Sequence, residues 1–302
     1  MSDFFQIEHT TEYVYPFDIN QAQNVGYLIP RNETSQSCLA WKLECTPNVD
    51  KYTRSLDYFS NEKIYFALDE PHEKLSVTSK SIVEVNALIP PVDDVDHAFI
   101  LDRLKKIKSE DDLFARQFCF ASNRIPLELE AFTLAQTCFA QHKGMIAATS
   151  ALMTTIFEQF TYASNSTNVN STVADVLKTK KGVCQDFAHL AISALRSMGF
   201  ACAYVSGYLE TLPPKGEKKL RGADASHAWF SVYIPDFGWL DFDPTNNTIP
   251  NGQHIVVARG RDFDDVTPLK GVYLGNANPI LNVRVDVHRF PKERLKTLLT
   301  NF

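Results

Sequence analysis

The hydrophobic pattern of this 302-residue chain changes its period twice, and that change limits the folds that the chain can adopt. Up to about residue 87, apolar and polar residues alternate in short runs bounded by turn residues, which is typical of strands. From about Leu101 to Gly199 the apolar spacing is helical, and after Gly199 the strand pattern returns. Because the helices form a block of their own rather than alternating with strands, the pattern predicts an α+β fold.

The most regular segments define the predicted elements. Strands are predicted at 64–68, 75–78, 81–85, 201–209, 227–235, 239–243, 255–258, 271–274 and 281–287. Helices are predicted at 128–141, 144–160 and 184–198. Thr172 and Asp175 have the spacing of a helix capping box, so another helix is expected to begin there.

Two consecutive prolines, Pro90 and Pro91, mark the best candidate for a domain boundary, because proline lacks an amide donor and does not continue a helix. At roughly 100–200 residues per domain, a chain of this length has room for about two domains. We therefore expect a β-rich N-terminal domain at residues 1–90. The core is expected at residues 91–302, including a β-rich tail at about 250–290.

Composition and charge exclude several classes of function. The 36 acidic residues outnumber the 30 Lys and Arg residues, and no nucleic-acid partner is expected because phosphate binding needs a basic surface. No apolar run approaches the roughly 18 residues of a membrane span, and the N-terminus lacks the pattern of a signal peptide. We therefore expect a cytoplasmic protein without a membrane partner, and the oligomeric state stays open.

The six cysteines are too few for a disulfide scaffold in a chain of this size, and none forms a C-x-x-C pair. The H-E-x-x-H motif of zinc enzymes and the acidic loop of calcium sites are absent from the sequence. We therefore expect no metal and no other cofactor. In a reducing compartment, a cysteine in a special position is more typical of catalysis than of structure.

Cys184 occupies such a position, at the start of the helix predicted at 184–198. Its apolar residues recur at helical spacing, so one face is expected to pack on a core; these residues are Phe187, Leu190, Ala191, Ala194, Leu195 and Met198. Unpaired amide groups and the helix dipole favour a thiolate at a helix N-terminus. Without a base partner, however, a small buried cysteine would explain the residue equally well.

Two histidines are candidates for the base. His189 lies five residues along the same helix, about 140° around its axis from Cys184, so we interpret it as a packed histidine. His227 begins a predicted strand in which alternate residues share one face with it. We therefore favour His227.

An aspartate on the following strand can orient this histidine. The simplest three-residue turn between the strands pairs Pro235 with Trp239 and places Asp241 and Asp243 on the face of His227. In that register, Asp243 is still about 13 Å of strand from His227, at ~3.3 Å per residue. A bulge, another loop or strong twist must close this distance, and Asp241 competes for the role.

Several stretches resemble the transglutaminase-like superfamily of papain-type folds, in the bacterial branch that carries a β-rich N-terminal domain. The matching stretches are Gly182–Ala188, Ser226–Trp229, Gly238–Thr245 and Ala258–Val266. The resemblance implies a core of helices packed on an antiparallel β-sheet or barrel. It spans nearly the whole chain, and its three motifs in order are specific.

The resemblance also implies roles for three residues: Cys184 as the nucleophile, His227 as general base and acid, and Asp243 as the residue that orients His227. A peptide or protein substrate, including a glutamine side chain, would form a thioester with the cysteine. Water as the second acceptor would make the enzyme a peptidase or amidase, which is our leading expectation. An amine acceptor would make it a transglutaminase, and a binding module that retains the fold is a further alternative.

The oxyanion donor is where the chain departs from the family. No tryptophan lies suitably upstream of Cys184, and Lys178 stands near the position where papain-like peptidases have a glutamine. The backbone N–H of Cys184 with Tyr162 or Gln185 is one solution. Packing at the end of a helix explains Tyr162 equally well.

The remaining candidates are expected to be structural. Trp229 and Trp239 are interpreted as core residues rather than substrate contacts, and Cys202 as a core residue. Arg261 with Asp262 is interpreted as an ion-paired turn, with lining of the cleft as the alternative. The basic segment Lys215–Arg221 is interpreted as a solvated loop that can attract acidic substrates.

Overall fold

The computed structural model describes residues 2–91, 93–163, 171–211, 226–274 and 278–302. In chain order, strands β1–β14 are Ser2–Ile19, Ala22–Gly26, Gln36–Thr46, Tyr52–Leu56, Glu62–Leu68, His72–Asn86, Thr161–Tyr162, Lys181–Gly182, Cys202–Leu209, Ser226–Ile234, Gly238–Phe242, His254–Gly260, Leu269–Tyr273 and Ile280–Phe290. Helices α1–α7 are His97–Lys106, Glu110–Arg116, Leu129–Gln141, Met145–Gln159, Val173–Thr179, Cys184–Ser197 and Leu295–Thr300. The basic segment Lys215–Arg221 lies outside the described residues.

The α+β prediction is confirmed. The three predicted helices correspond to α3, α4 and α6, and Thr172 with Asp175 forms the predicted capping box at the start of α5. The strands predicted at 75–78 and 81–85 are halves of the single strand β6, since no turn separates them. No helix in the described part of the chain is both long and apolar enough to cross a bilayer.

Two four-stranded antiparallel sheets contain most of the N-terminal strands, with orders β14-β1-β6-β3 and β13-β2-β5-β4. Each sheet has a C-terminal strand at its edge, since Phe290 of β14 pairs with Phe4 and Leu269 of β13 pairs with Gly26. Of the described strands in the predicted tail at about 250–290, β12 pairs with β9 of the core sheet, whereas β13 and β14 pair with N-terminal strands. The domain boundary at residue 90 stays a prediction.

The core is a third antiparallel sheet, of order β11-β10-β9-β12, against which α6 packs. The apolar face predicted for α6 is buried, and so are residues on its other faces, among them Ile192 and Ser193. The helix is thus surrounded by α3, α4 and α5 as well as by the sheet. Truncation of a fully buried residue such as Leu190 to alanine is expected to cost about 2–5 kcal/mol.

The core sheet and the first N-terminal sheet pack face to face and share an apolar cluster. Its residues are Phe5, Ile7, Val83, Val85, Tyr208, Ile255, Val257, Val285 and Val287. A buried hydrogen bond of 2.8 Å joins His9 Nδ1 to the Tyr208 hydroxyl in the same interface. Burial lowers the pKa of His9 to about 4, so this contact is made by a neutral imidazole at neutral pH.

Candidate active site

Cys184 is the first residue of α6, and the preceding turn fixes its position. Gly182 pairs with Tyr162 in the short parallel ladder of β7 and β8. The Asp186 carboxylate accepts a hydrogen bond of 2.9 Å from the Val183 N–H, and a Cβ on Gly182 would lie 2.9 Å from the Cβ of Asp186. Only glycine therefore fits this close turn. The cysteine is half-buried at the first turn of the helix, as predicted.

His227 lies near the start of β10 and connects Cys184 with Asp243. Its side chain is 10% exposed, and its Nε2 is 2.7 Å from Asp243 Oδ2. The Cys184 side chain is its second polar neighbour and is close enough to raise the pKa of the imidazole. Since Nε2 is engaged by the carboxylate, Nδ1 is the nitrogen that remains for the thiol.

The register of the β10–β11 hairpin brings the carboxylate to this histidine. Tyr233 pairs with Trp239, so the predicted pairing of Pro235 with Trp239 is wrong by two residues. The turn closes earlier, with a left-handed residue at Asp236 (φ +66°). A shift of two residues keeps every side chain on its predicted face but moves Asp243 about 6.6 Å closer to the histidine, at ~3.3 Å per residue.

Asp243 is fully buried and accepts hydrogen bonds at both oxygens. Oδ1 accepts from the backbone N–H groups of Thr245 (3.0 Å) and Asn246 (3.3 Å). Oδ2 accepts from His227 (2.7 Å), His254 (2.9 Å) and the Asn246 side chain (2.7 Å). Burial raises the pKa of Asp243, but the hydrogen bonds from both histidines and the charge of His227 outweigh it and hold the pKa below its usual range. The carboxylate is therefore ionised at neutral pH.

The environment of His227 favours its protonated form. Burial lowers the pKa of the imidazole, but the hydrogen bonds and negative charges of Asp243 and Cys184 raise it to about 10. At neutral pH the site therefore holds an imidazolium between the Asp243 carboxylate and the Cys184 sulfur.

The competing residues lie elsewhere. His189 is buried against Tyr204, with ring centroids 5.0 Å apart, and burial with the charges of Arg196 and Arg124 lowers its pKa to about 3. Its interpretation as a packed histidine is correct. Asp241 accepts from the Trp229 Nε1–H (2.8 Å) and from an arginine, not from His227.

The other predicted residues have mixed outcomes. Trp229 is fully buried, as expected, and Trp239 packs against the main core. Arg261 forms an ion pair of 3.0 Å with Asp265, so the predicted pairing with Asp262 is wrong. The Asp262 carboxylate instead accepts from the backbone N–H groups at positions 124 and 264, because a carboxylate in a tight loop is close to unpaired amides.

Tyr162 lies beside the thiol on the exposed side of the site. Its side chain is half exposed, and burial together with the charge of Cys184 raises its pKa. A role for Gln185 in the oxyanion site stays a prediction.

Two residues of the site were missed by sequence reasoning, Asn246 and His254. Asn246 follows Asp243 by three residues, so a turn capped by an aspartate could have indicated it. His254 is brought to Asp243 by the pairing of β12 with β9, which no local pattern reveals. The ligand atoms of His227, Asp243 and His254 lie within 4.8 Å of one another, so these are the described residues that can hold a metal ion.

A cavity of about 490 Å³ lies between the N-terminal strands and the core sheet, with His254, Asp241 and Arg259 in its lining. Cys184 and His227 are not among its lining residues. The lining of this cavity therefore does not include the Cys184 thiol.

The central helix that begins at a cysteine and packs on an antiparallel sheet defines a papain-type, transglutaminase-like core. A family model of the transglutaminase-like superfamily matches residues 133–244, and one of the bacterial transglutaminase-like N-terminal region matches residues 5–84. The chain belongs to the transglutaminase-like superfamily. The resemblance inferred from the sequence is thus confirmed.

Relatives extend over the whole chain. An uncharacterized protein of Mycobacterium tuberculosis is 36% identical over 296 residues, which is 96% of this chain and 94% of the relative. An uncharacterized protein of Mycobacterium leprae is 32% identical over 293 residues, covering 94% and 98% of the two chains. Among solved structures, a candidate cysteine protease from Cytophaga hutchinsonii superposes with a TM-score of 0.75 at 22% identity, covering 97% of this chain and 92% of that one.

Proposed function

We propose that this protein is a cysteine-dependent hydrolase that cleaves amide bonds of peptides or proteins through a thioester on Cys184. The arrangement of His227, which is hydrogen-bonded to Asp243 and close to Cys184, is the observation that carries the proposal. A nucleophile, a base within hydrogen-bonding reach and a group that orients the base are the three parts of a covalent acyl-transfer site.

In the first step, the Cys184 thiolate attacks the carbonyl carbon of the amide. The carbonyl π electrons move to the oxygen and form a tetrahedral intermediate. Its collapse breaks the C–N bond, and the His227 imidazolium donates its proton to the leaving amine. A pKa of about 10 keeps His227 protonated at neutral pH, so the acid is in place before the bond breaks.

In the second step, the now neutral His227 removes a proton from water, which attacks the thioester carbon. The products are the free acid and the thiolate–imidazolium pair. Asp243 keeps its charge throughout, so it orients the ring and stabilises the imidazolium at each stage. Hydrolysis is the favoured outcome because Cys184 is half-buried rather than enclosed, and water needs no second binding site.

The oxyanion of each tetrahedral intermediate is assigned two donors. The backbone N–H of Cys184 lies at the N-terminus of α6, where helix amides have no intrahelical partner. The Tyr162 hydroxyl is the second donor, since Tyr162 lies beside the thiol and β7 holds it next to Gly182.

Acyl transfer to an amine is the second candidate function. A protein-glutamine gamma-glutamyltransferase of Pseudomonas aeruginosa is 34% identical over 73 residues, which is 24% of this chain and 11% of that protein. Both reactions pass through the same thioester and differ only in the acceptor. A cytoplasmic location is proposed with either activity, and the six free thiols support a reducing compartment.

One experiment tests the chemistry and the choice of acceptor. The protein is incubated with a library of glutamine-containing peptides, and the intact mass of an acid-quenched sample is compared with that of the Cys184→Ala variant. A mass increase on Cys184 that the variant lacks is expected. Ammonia release and shortened peptides are then measured with and without an added primary amine.

The outcomes separate the candidates. Release that does not depend on the amine supports hydrolysis, whereas incorporation of the amine into the peptide supports acyl transfer. If no acyl-enzyme forms and no peptide changes, the catalytic proposal is wrong, and the chain is a binding module with a retained fold.

A further inference from the structure

A second histidine contacts the carboxylate that orients His227. His254 is the first residue of β12, where it pairs with Leu209 of β9. Its Nε2 is 2.9 Å from Asp243 Oδ2, the same oxygen that accepts from His227. The side chain is 4% exposed, so this hydrogen bond is shielded from water.

The hydrogen bonding of the two ring nitrogens of His254 indicates which tautomer the ring adopts. Nδ1 is buried and has no hydrogen-bond partner among the residues that the structure describes. A buried N–H without an acceptor costs more than a bare lone pair, so the proton belongs on Nε2. His254 is therefore a hydrogen-bond donor to Asp243.

The ring of His254 is held in place by packing. It meets the Trp229 ring edge-on, with centroids 5.0 Å apart, and Trp229 also packs against His227 at 5.8 Å. The indole is fully buried and approaches Gly207 so closely that a Cβ there would lie 2.5 Å from the ring and would collide with the Ile255 carbonyl. A larger residue than glycine would displace the indole and, with it, both imidazoles.

We infer that His254 is a positioning residue, which donates from Nε2 to Asp243 Oδ2 and keeps this oxygen directed at His227. The inference rests on the proposed function, since it concerns the same Cys184–His227–Asp243 series. His227 takes up and releases a proton in each cycle of the proposed reaction, whereas His254 is held by its hydrogen bond to Asp243 and its packing against Trp229. A donor that stays bound to Asp243 Oδ2 therefore keeps this oxygen in position while His227, which binds the same oxygen, gains and loses a proton.

A matched pair of substitutions tests this role. A glutamine side chain places its NH₂ group near the position of Nε2, whereas an asparagine side chain reaches only to the position of Nδ1. His254→Gln therefore retains the donor to Asp243. His254→Asn loses this donor, although its side chain carries the same amide group. The readout is the rate at which iodoacetamide alkylates Cys184 at pH 7, followed by peptide mass spectrometry, with melting temperatures measured for both variants.

In His254→Asn, we expect iodoacetamide to alkylate Cys184 roughly 10- to 100-fold more slowly than in wild type, because a displacement of about 1 Å in such a site has effects of this size. The rate of His254→Gln should lie within about threefold of wild type. The inference would be overturned by equal alkylation rates in wild type and His254→Asn. It would also be overturned if both variants were alkylated equally slowly at an unchanged melting temperature. If His254→Asn does not fold, a wild-type rate in folded His254→Gln supports it, and a slow rate overturns it.

The variant His227→Ala separates this inference from the proposed function. If wild-type Cys184 is alkylated no faster than in His227→Ala, the histidine does not activate the thiol and the proposed function fails. If Cys184 is alkylated faster in wild type than in His227→Ala, but at the same rate in His254→Asn as in wild type, only the inferred role of His254 is wrong.

Discussion

Arg259 and Asp241 form a doubly hydrogen-bonded ion pair inside the protein, with Nη1–Oδ1 and Nη2–Oδ2 distances of 2.7 and 3.1 Å. The same guanidinium binds both oxygens of Glu33, at 2.6 and 2.9 Å. Asp241 in turn accepts from Trp229, the ring that packs against both histidines of the site. A residue of the N-terminal region is thus connected to the candidate active site through one arginine, whose side chain is 12% exposed.

Replacement of Arg259 by methionine should destabilise the protein strongly. Burial lowers the pKa of Arg259, but Asp241 and Glu33 outweigh it and keep the guanidinium charged. The variant would leave the buried Asp241 carboxylate without its cation, which costs roughly 3–5 kcal/mol, whereas the half-buried Glu33 keeps its ion pair with Arg31. Urea denaturation measures the free energy of unfolding. Arg289→Met is the control, because its ion pairs with Asp3 and Glu210 are partly exposed and a loss of about 1 kcal/mol or less is expected. Equal losses in the two variants would refute the prediction.

Removal of residues 1–90 should abolish cooperative folding of the remainder. The deletion takes away β1 and β2, the partners of β14 and β13, and exposes the core-sheet side of the shared apolar cluster. The truncated chain is expected to bind a hydrophobic dye and to show no sharp thermal transition by circular dichroism. A cooperative transition near the temperature of the full-length protein would show that residues 91–302 fold independently.

The elements of the core were predictable because their sequences carry local periodicity. The apolar spacing of α6 follows the helical period closely, and the strands around His227 and Asp241 are short, mainly apolar runs bounded by turn residues. The pairing of β14 with β1 was not predictable, since it joins residues about 280 positions apart and depends on which apolar faces meet. The hydrophobic pattern of a strand indicates which of its faces is buried, but not which strand pairs with it.

Some residues of the candidate site were likewise predictable from the local sequence, and others were not. Cys184 and His227 are marked by local context, the start of a helix and the start of a strand. Asp243 was placed on the right face but in a register two residues off, because the left-handed conformation of Asp236 selects the turn. His254 and Glu33 reach the site only through tertiary contacts, so no window of sequence indicates them.

The pair of His227 and Asp243 should make stability depend on pH in the alkaline range. The pKa of His227 is raised from an ordinary value of 6.5 to about 10 in the folded protein. Its stabilisation is therefore fully present below pH 6.5 and is lost as the pH rises through about 10. The excess stability of wild type over His227→Gln, from urea denaturation, should fall between pH 6.5 and pH 10. The control is the exposed His288, whose replacement by glutamine should leave the pH dependence unchanged. An excess that stays constant across this range would rule out the raised pKa.

Replacement of Tyr162 by phenylalanine should separate thiol activation from oxyanion stabilisation. The variant keeps the ring, which packs near Phe187 with centroids 6.5 Å apart, and removes only the hydroxyl. Loss of one oxyanion donor lowers the turnover number roughly 100-fold, whereas alkylation of Cys184 by iodoacetamide forms no oxyanion and should proceed at the wild-type rate. Turnover on a peptide substrate found in the library screen and alkylation at pH 7 are therefore measured on the same preparation.

Tyr58→Phe is the control for this prediction, because Tyr58 is 71% exposed and its ring packs against Phe59 and Phe114, away from the thiol. It should change neither rate. If Tyr162→Phe slows turnover and alkylation equally, Tyr162 acts on the thiol rather than on the oxyanion. If it slows neither, the hydroxyl has no part in catalysis, and the second donor to the oxyanion must be another group near the start of α6.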